Sequence, residues 1–227
     1  MVKKLFDIII IAAITVAVMP AFSFANNEDK TYKNLLTLFH SGNEESFEKS
    51  AFSWLKSFPG SIHVPEVRMM LAEIESDTEL AVQRYRIVVK NYSSYNKRDL
   101  ALYKLCQILD LKSKWKELNS ESLQGIKLFG TGPYGIEFRF MHINSLLMLE
   151  DYDKARIETF AITEKTHDFN TLSRAIFILS EIDRRTSGNS RAYIYSLREL
   201  ASGFNKSELY PSIIYRIAEF YNEKKDI

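Results

Sequence analysis

Leu149-Glu150-Asp151-Tyr152-Asp153-Lys154-Ala155 is the stretch that decides how this chain folds. An apolar run with helical spacing ends at Leu149, polar residues turn the chain, and Tyr152 opens a second run. Ala155 falls one turn into that second helix, where a small side chain lets two helices approach closely. The stretch reads as a helix–turn–helix joint rather than as a strand or a loop.

Working outward, the joint is one part of a repeat. Trp54-Leu55-Lys56-Ser57-Phe58-Pro59 returns as Val88-Val89-Lys90-Asn91-Tyr92-Ser93, and the same aromatic-then-polar turn follows at Phe129-Gly130-Thr131-Gly132 and Phe204-Asn205-Lys206-Ser207. The intervals 58→92, 92→129 and 129→204 are 34, 37 and 75 residues, the last being two units, so a degenerate copy belongs near Thr166-His167. Leu102, Leu105, Cys106 and Leu109 match Ile214, Ile217, Ala218 and Tyr221 in the i, i+3, i+4, i+7 spacing of a helix with one buried face. Ala72, Cys106, Ala155 and Ala218 are thus expected as small contacts between neighbouring helices. The periodicity predicts eleven helices, near 30–40, 44–57, 65–76, 78–92, 96–110, 113–128, 134–149, 152–166, 169–185, 190–203 and 208–224. Pro65, Pro133 and Pro211 fall where helices begin, positions that tolerate a residue without an N–H. No segment sustains strand alternation, so the chain is all-α.

The joint at Leu149–Ala155 and the recurring turn together resemble the tetratricopeptide repeat. That resemblance implies a right-handed superhelical solenoid of about five and a half tetratricopeptide-like helix pairs over residues 26–227, with contacts mainly between adjacent pairs. The octet Trp54-Leu55-Lys56-Ser57-Phe58-Pro59-Gly60-Ser61 is similar to repeats of bacterial envelope proteins, the BamD-like outer-membrane assembly lipoproteins and the Tol–Pal-associated cell-division coordinator. The chain departs from the first in lacking a lipidated N-terminal cysteine, and from the second in that Asn26–Ser46 is too short for a coiled coil. In such repeats, residues two before and two after the buried large residue of each first helix face the concave surface. The resemblance therefore implies a partner-binding groove of Met69, Tyr103, Phe140, Phe177 and Tyr215, each followed one turn later by Glu73, Gln107, Asn144, Glu181 and Glu219. Apolar anchors followed by polar groups suit an extended or helical peptide.

The N-terminus reads as an address. Lys3 and Lys4 precede an apolar run from Ile8 to Val18, Pro20 interrupts it, and Ser23-Phe24-Ala25 offers small residues to a signal peptidase. This is a secretory signal peptide over residues 1–25, cleaved after Ala25, with a retained membrane anchor as the competing reading. Removing it takes two of 30 basic and one of 29 acidic residues, leaving 28 of each. That balance gives no general attraction to nucleic acid. With 46% hydrophobic and 13% aromatic residues the mature chain can bury a large core, and 8 glycines and 5 prolines leave little punctuation for β-turns. Cys106 is the single cysteine, which excludes an internal disulfide and suits a small core residue.

The motifs of catalysis are missing from the sequence. Gly130-Thr131-Gly132-Pro133-Tyr134-Gly135 lacks the Lys and Ser or Thr of a phosphate loop and reads as a turn between repeats. His40, His63, His142 and His167 are scattered, without HExxH or a Cys/His cluster. Glu73, Glu75, Asp77 and Glu79 lack the glycine of a calcium loop and straddle a helix end, and Arg184, Arg185, Arg191 and Arg198 read as a solvated patch. The expectation is a non-enzymatic, periplasmic scaffold or adaptor that needs no cofactor or metal. It binds a protein or peptide partner of the cell envelope, with no nucleic acid, and meets the membrane only through its signal segment. Two alternatives stand beside it: the helical arm of a cell-wall enzyme resembling soluble lytic transglycosylases, with its catalytic domain lost or beyond Ile227, and a structural module that self-associates through exposed end helices. Tyr221–Ile227 resembles the turn before a further partner helix.

Overall fold

The computed structural model describes residues 27–188 and 190–223; the expected signal peptide lies outside the described residues. They form eleven helices and no strand: α1 over residues 27–40, then α2 Glu44–Ser57, α3 Val64–Glu73, α4 Thr78–Asn91, α5 Arg98–Leu111, α6 Trp115–Phe129, α7 Gly135–Met148, α8 Tyr152–Thr163, α9 Phe169–Ser187, α10 Ser190–Gly203 and α11 Tyr210–Glu223. Each agrees with its expected span to within three residues at either end. None of the described helices is long and apolar enough to cross a membrane.

Local chemistry sets the boundaries. Asn43, Asp77, Asp151 and Asp168 each accept a hydrogen bond from the backbone N–H three residues on, capping α2, α4, α8 and α9. The Leu149–Ala155 joint proves to be one of three like turns. Gly42, Ser113 and Glu150 take left-handed φ values of 70°, 56° and 61°. The next residue of each, Asn43, Lys114 and Asp151, then donates its N–H back to Leu38, Leu109 and Leu146 at 3.3, 2.9 and 2.9 Å. This closes the preceding helix by satisfying carbonyls that would otherwise lack a partner. The other class of turn also repeats: the N–H groups of Ser61, Tyr95, Gly132 and Ser207 bond back to the carbonyls of Phe58, Tyr92, Phe129 and Phe204. At the degenerate copy the pattern differs, since Thr166 N–H bonds to the Ile162 carbonyl and the Asp168 cap takes over.

The chain divides into two compact units, Met1–Ala101 and Leu102–Ile227. In the first, Phe47, Ala51 and Trp54 of α2 pack with Tyr32 and Leu35 of α1 and with Val64, Val67, Met70 and Leu71 of α3. Burying each large side chain contributes roughly 1.5–3 kcal/mol. Arg84 of α4 ties the layers together, donating to the Leu71 carbonyl at 2.8 Å, to Glu48 at 2.9 Å and to Glu75 at 2.7 Å. The acidic run thus carries structural duties, with Glu75 on Arg84 and Asp77 capping α4.

In the second unit, Phe140, Ile143 and Leu146 of α7 pack with Ala155 and Ile162 of α8 and with Ala175 and Ile182 of α9. Tyr193, Ile194, Leu197 and Leu200 of α10 form a second cluster with Ile213 of α11. Between α6 and α7 lies a buried polar link, where Asn119 Nδ2 bonds to Ser145 Oγ at 2.9 Å and faces His142 Nδ1 at 3.3 Å. Ala72, Cys106 and Ala155 are buried as expected, at 2%, 0% and 0% exposure. Ala218 is a correction, because it is exposed and α11 instead turns Ile213, Ile217 and Phe220 toward α10. The face expected to be covered, with Ile214 and Tyr221, has no described helix upon it, and those side chains remain 41% and 38% exposed.

Candidate interaction surface

One position fixes the register of the odd-numbered helices. Val67, Ala101, Phe138 and Ile213 come one turn into α3, α5, α7 and α11, Ala175 comes nearly two turns into the longer α9, and each is fully buried. Two residues further stand Met69, Tyr103, Phe140, Phe177 and Tyr215, so these five occupy equivalent places in successive repeats. Their environments differ. Met69, in the first unit, is a core side chain at 3% exposure, and Glu73 beside it is exposed.

In the second unit the equivalent positions belong to a row crossing α5, α7, α9 and α11. Tyr103 is half-buried, stacks on Tyr134 with ring centres 4.6 Å apart, and accepts a hydrogen bond from Gln107 at 3.0 Å. Phe140 is core, at 2% exposure, and the Arg174 guanidinium lies 3.9 Å over its ring. Phe177 is half-buried and packs on the α10–α11 cluster. Tyr215 is open, at 65% exposure.

The polar members one turn later are held by neighbours on the same row. Asn144 donates to Asp110 of α5 at 2.7 Å. Glu181 is buried to 8% exposure, accepts from the Tyr193 hydroxyl, and meets Arg184 at 3.1 Å and Arg216 at 4.0 Å. Glu219 completes the set by pairing with Arg216 at 2.6 Å. Burial, reinforced by Glu181, pushes the Tyr193 hydroxyl well above its usual range, so it stays protonated and can donate to that carboxylate. The hydrogen bond to Glu219 raises the Arg216 guanidinium further.

Sequence reasoning missed Glu137 and Arg174, which pair at 3.1 Å across α7 and α9. The signal was present: both stand three residues before their ladder residues, Phe140 and Phe177, with opposite charge. A cavity of about 260 Å³ opens beside this pair, floored by Phe140 and edged by Asn170, Thr171 and Glu208. It also missed Tyr134, Asp110 and Tyr193, whose roles arise from contacts between helices rather than from spacing along one.

The described residues hold no group of three or more His, Cys, Asp or Glu side chains placed to bind a metal ion. Burial, with Glu121 and Asp110 nearby, pushes the Cys106 thiol far above its usual range, which keeps it from acting as a thiolate.

No family profile matches the chain, and no curated protein sequence does. Solved structures do. A tetratricopeptide repeat protein from Parabacteroides merdae is similar at a TM-score of 0.65 and 13% identity, covering 86% of this chain and 72% of that one. The apo form of RapI matches at 0.56 and 9% identity, over 88% and 72% of the two chains. A Podospora anserina protein of putative kinesin light chain, nearly identical tetratricopeptide-like repeats matches at 0.53 and 10% identity, over 78% and 96%. At these identities the likeness is one of fold, and the chain is an all-α solenoid of the tetratricopeptide type.

Proposed function

We propose that this chain is a non-enzymatic adaptor of the cell envelope that holds a segment of a protein partner along the α5–α7–α9–α11 row. The observation that carries the reading is the state of that row. Repeat-equivalent Tyr103, Phe177 and Tyr215 keep apolar surface at solvent, while the charged groups between them are already paired with one another. Side chains fixed before binding lose less freedom when a ligand arrives, which favours binding there. Tetratricopeptide-like folds as a class support a protein-interaction role. Export rests on the basic start, the apolar run and Ser23-Phe24-Ala25, and the envelope partner on the resemblance of Trp54–Ser61.

The test replaces Tyr103 and Tyr215 together by Ala and compares crosslinked partner recovered from intact cells. Tyr215 is open and Tyr103 half-buried against Tyr134, so the melting midpoint should fall by about 2–8 °C, the loss of roughly 1–2 kcal/mol of ring contact. Capture of the partner should fall at least about ten-fold, the loss of one or two anchor residues. Undiminished capture with an intact fold would remove the row from consideration. N-terminal sequencing of the exported protein should begin at Asn26; a full-length chain in the inner membrane would count against export as a cleaved protein.

A further inference from the structure

The turns that lead into the odd-numbered helices share one place, and at four of them an aromatic ring fills it. Phe58, Tyr92, Phe129 and Phe204 stand nine residues before Val67, Ala101, Phe138 and Ile213. Each ring packs inward: Phe58 and Tyr92 on the core of the first unit, Phe129 on Phe138 with ring centres 6.4 Å apart, and Phe204 on Phe169 at 4.8 Å. Nine residues before Ala175 stands Thr166, so the turn between α8 and α9 lacks the ring. Beside Thr166 opens a cavity of about 280 Å³, lined by Ile136 and Arg139 of α7, Ala161 and Ile162 of α8, and Lys165 and Thr171. Two of those residues are cations. Arg139 is half-buried and Lys165 exposed, and neither forms an ion pair among the described residues. Elsewhere in this unit Arg156 and Arg174 are paired, with Asp183 at 2.6 Å and Glu137 at 3.1 Å. A partly desolvated guanidinium without a counter-ion is unfavourable. The nearby carboxylates do not supply one: Glu137 is held by Arg174, Asp168 caps the Thr171 N–H, and Glu164 is exposed.

We infer that this cavity binds an organic acid in which an aromatic ring carries a carboxylate. The ring enters the place left by the missing aromatic, against Ile136, Ala161 and Ile162, and the carboxylate meets Arg139 and Lys165. Threonine adds a polar contact. Its hydroxyl accepts from the Asp168 N–H at 3.2 Å, which leaves its own proton to donate to an acid oxygen. Cavities that enclose drug-sized ligands run from roughly 300 Å³ upward, so this one suits a single ring. A free amino acid fits less well, because its ammonium would face the same two cations. The required group occurs both in a free aryl acid and at the end of a polypeptide whose last residue is aromatic.

Calorimetric titration of the chain with hydrocinnamate tests this. Binding should saturate with a Kd of about 1 mM or tighter. Hydrocinnamyl alcohol, which keeps the ring and lacks the carboxylate, should bind at least about ten-fold more weakly. Arg139→Gln combined with Lys165→Gln should weaken the acid by about the same factor, leaving the alcohol and the capture of a protein partner unchanged. Thr166→Phe restores the ring found at the other turns; it should abolish binding and raise the melting midpoint by about 2–4 °C. N-acetylglycyl-phenylalanine separates the two sources. Affinity equal to that of hydrocinnamate assigns the site to a chain end, and binding about ten-fold weaker assigns it to a free acid. Failure of both acids to saturate by about 10 mM overturns the proposal. So does an alcohol that binds as tightly as the acid, or a folded Thr166→Phe chain that still binds hydrocinnamate.

Discussion

Changing Ala155 to Leu tests the packing at the joint from which the fold was read. Ala155 is fully buried in the cluster that joins α7, α8 and α9, and its carbonyl also accepts the Thr159 hydroxyl at 2.6 Å. Leucine adds three carbons to a site bounded by Phe140, Ile143, Leu146 and Ile162. Forcing extra carbons into such a packed site costs about 1–3 kcal/mol. For a chain of this size each kcal/mol lowers the melting midpoint by roughly 2–4 °C, so the fall should be about 2–12 °C. The equivalent position on α6, three residues into the helix after Trp115, carries Leu118, which is also fully buried. The two positions answer oppositely to volume: Leu118→Ala should leave a cavity and cost about 2–5 kcal/mol. Thermal unfolding followed by circular dichroism reads both. If Ala155→Leu melts within 1 °C of the parent, at that ~1 °C resolution the α7–α8 spacing is not set by the small residue and the reasoning from Leu149–Ala155 fails.

Two further outcomes follow from the same geometry. Burial holds the His142 imidazole below its usual 6.5 despite Glu158 on α8, so the folded chain keeps it neutral while the unfolded chain binds a proton near pH 6.5. Stability should be complete above that pH and decline as pH falls through it, a slope that His142→Gln removes in urea titrations between about pH 7 and 5; parallel slopes for both proteins would rule the imidazole out. Glu150 carries a left-handed φ of 61°, which costs an L-residue about 1–2 kcal/mol against the roughly 0.5–1 kcal/mol of extra freedom glycine loses. Glu150→Gly should therefore raise the melting midpoint by a degree or two, at roughly 2–4 °C per kcal/mol, and a lowered midpoint would mean the side chain makes a contact that outweighs the strain.

Much of this protein follows from the chain alone, because helix formation and repetition are local. Apolar residues at helical spacing, prolines where helices begin, and aromatic residues at 58, 92, 129 and 204 sufficed to place eleven helices. The equivalence of Met69, Tyr103, Phe140, Phe177 and Tyr215 was legible too, since it needs only a count along each helix. How deeply each is buried was not. Phe140 and Tyr215 share a repeat position, yet one is 2% and the other 65% exposed, because burial depends on which side chains the neighbouring helices supply. For the same reason Glu181, expected as an open polar contact, is buried under Tyr193, Arg184 and Arg216 from three helices. The face of α11 shows the limit most directly. Its apolar residues were legible in the sequence, but the buried face was placed on Ile214, Ala218 and Tyr221, because spacing records only what a helix offers. Whether Ile214, Ala218 and Tyr221 are covered is decided by tertiary structure, where the described helices place α10 against Ile213, Ile217 and Phe220 instead.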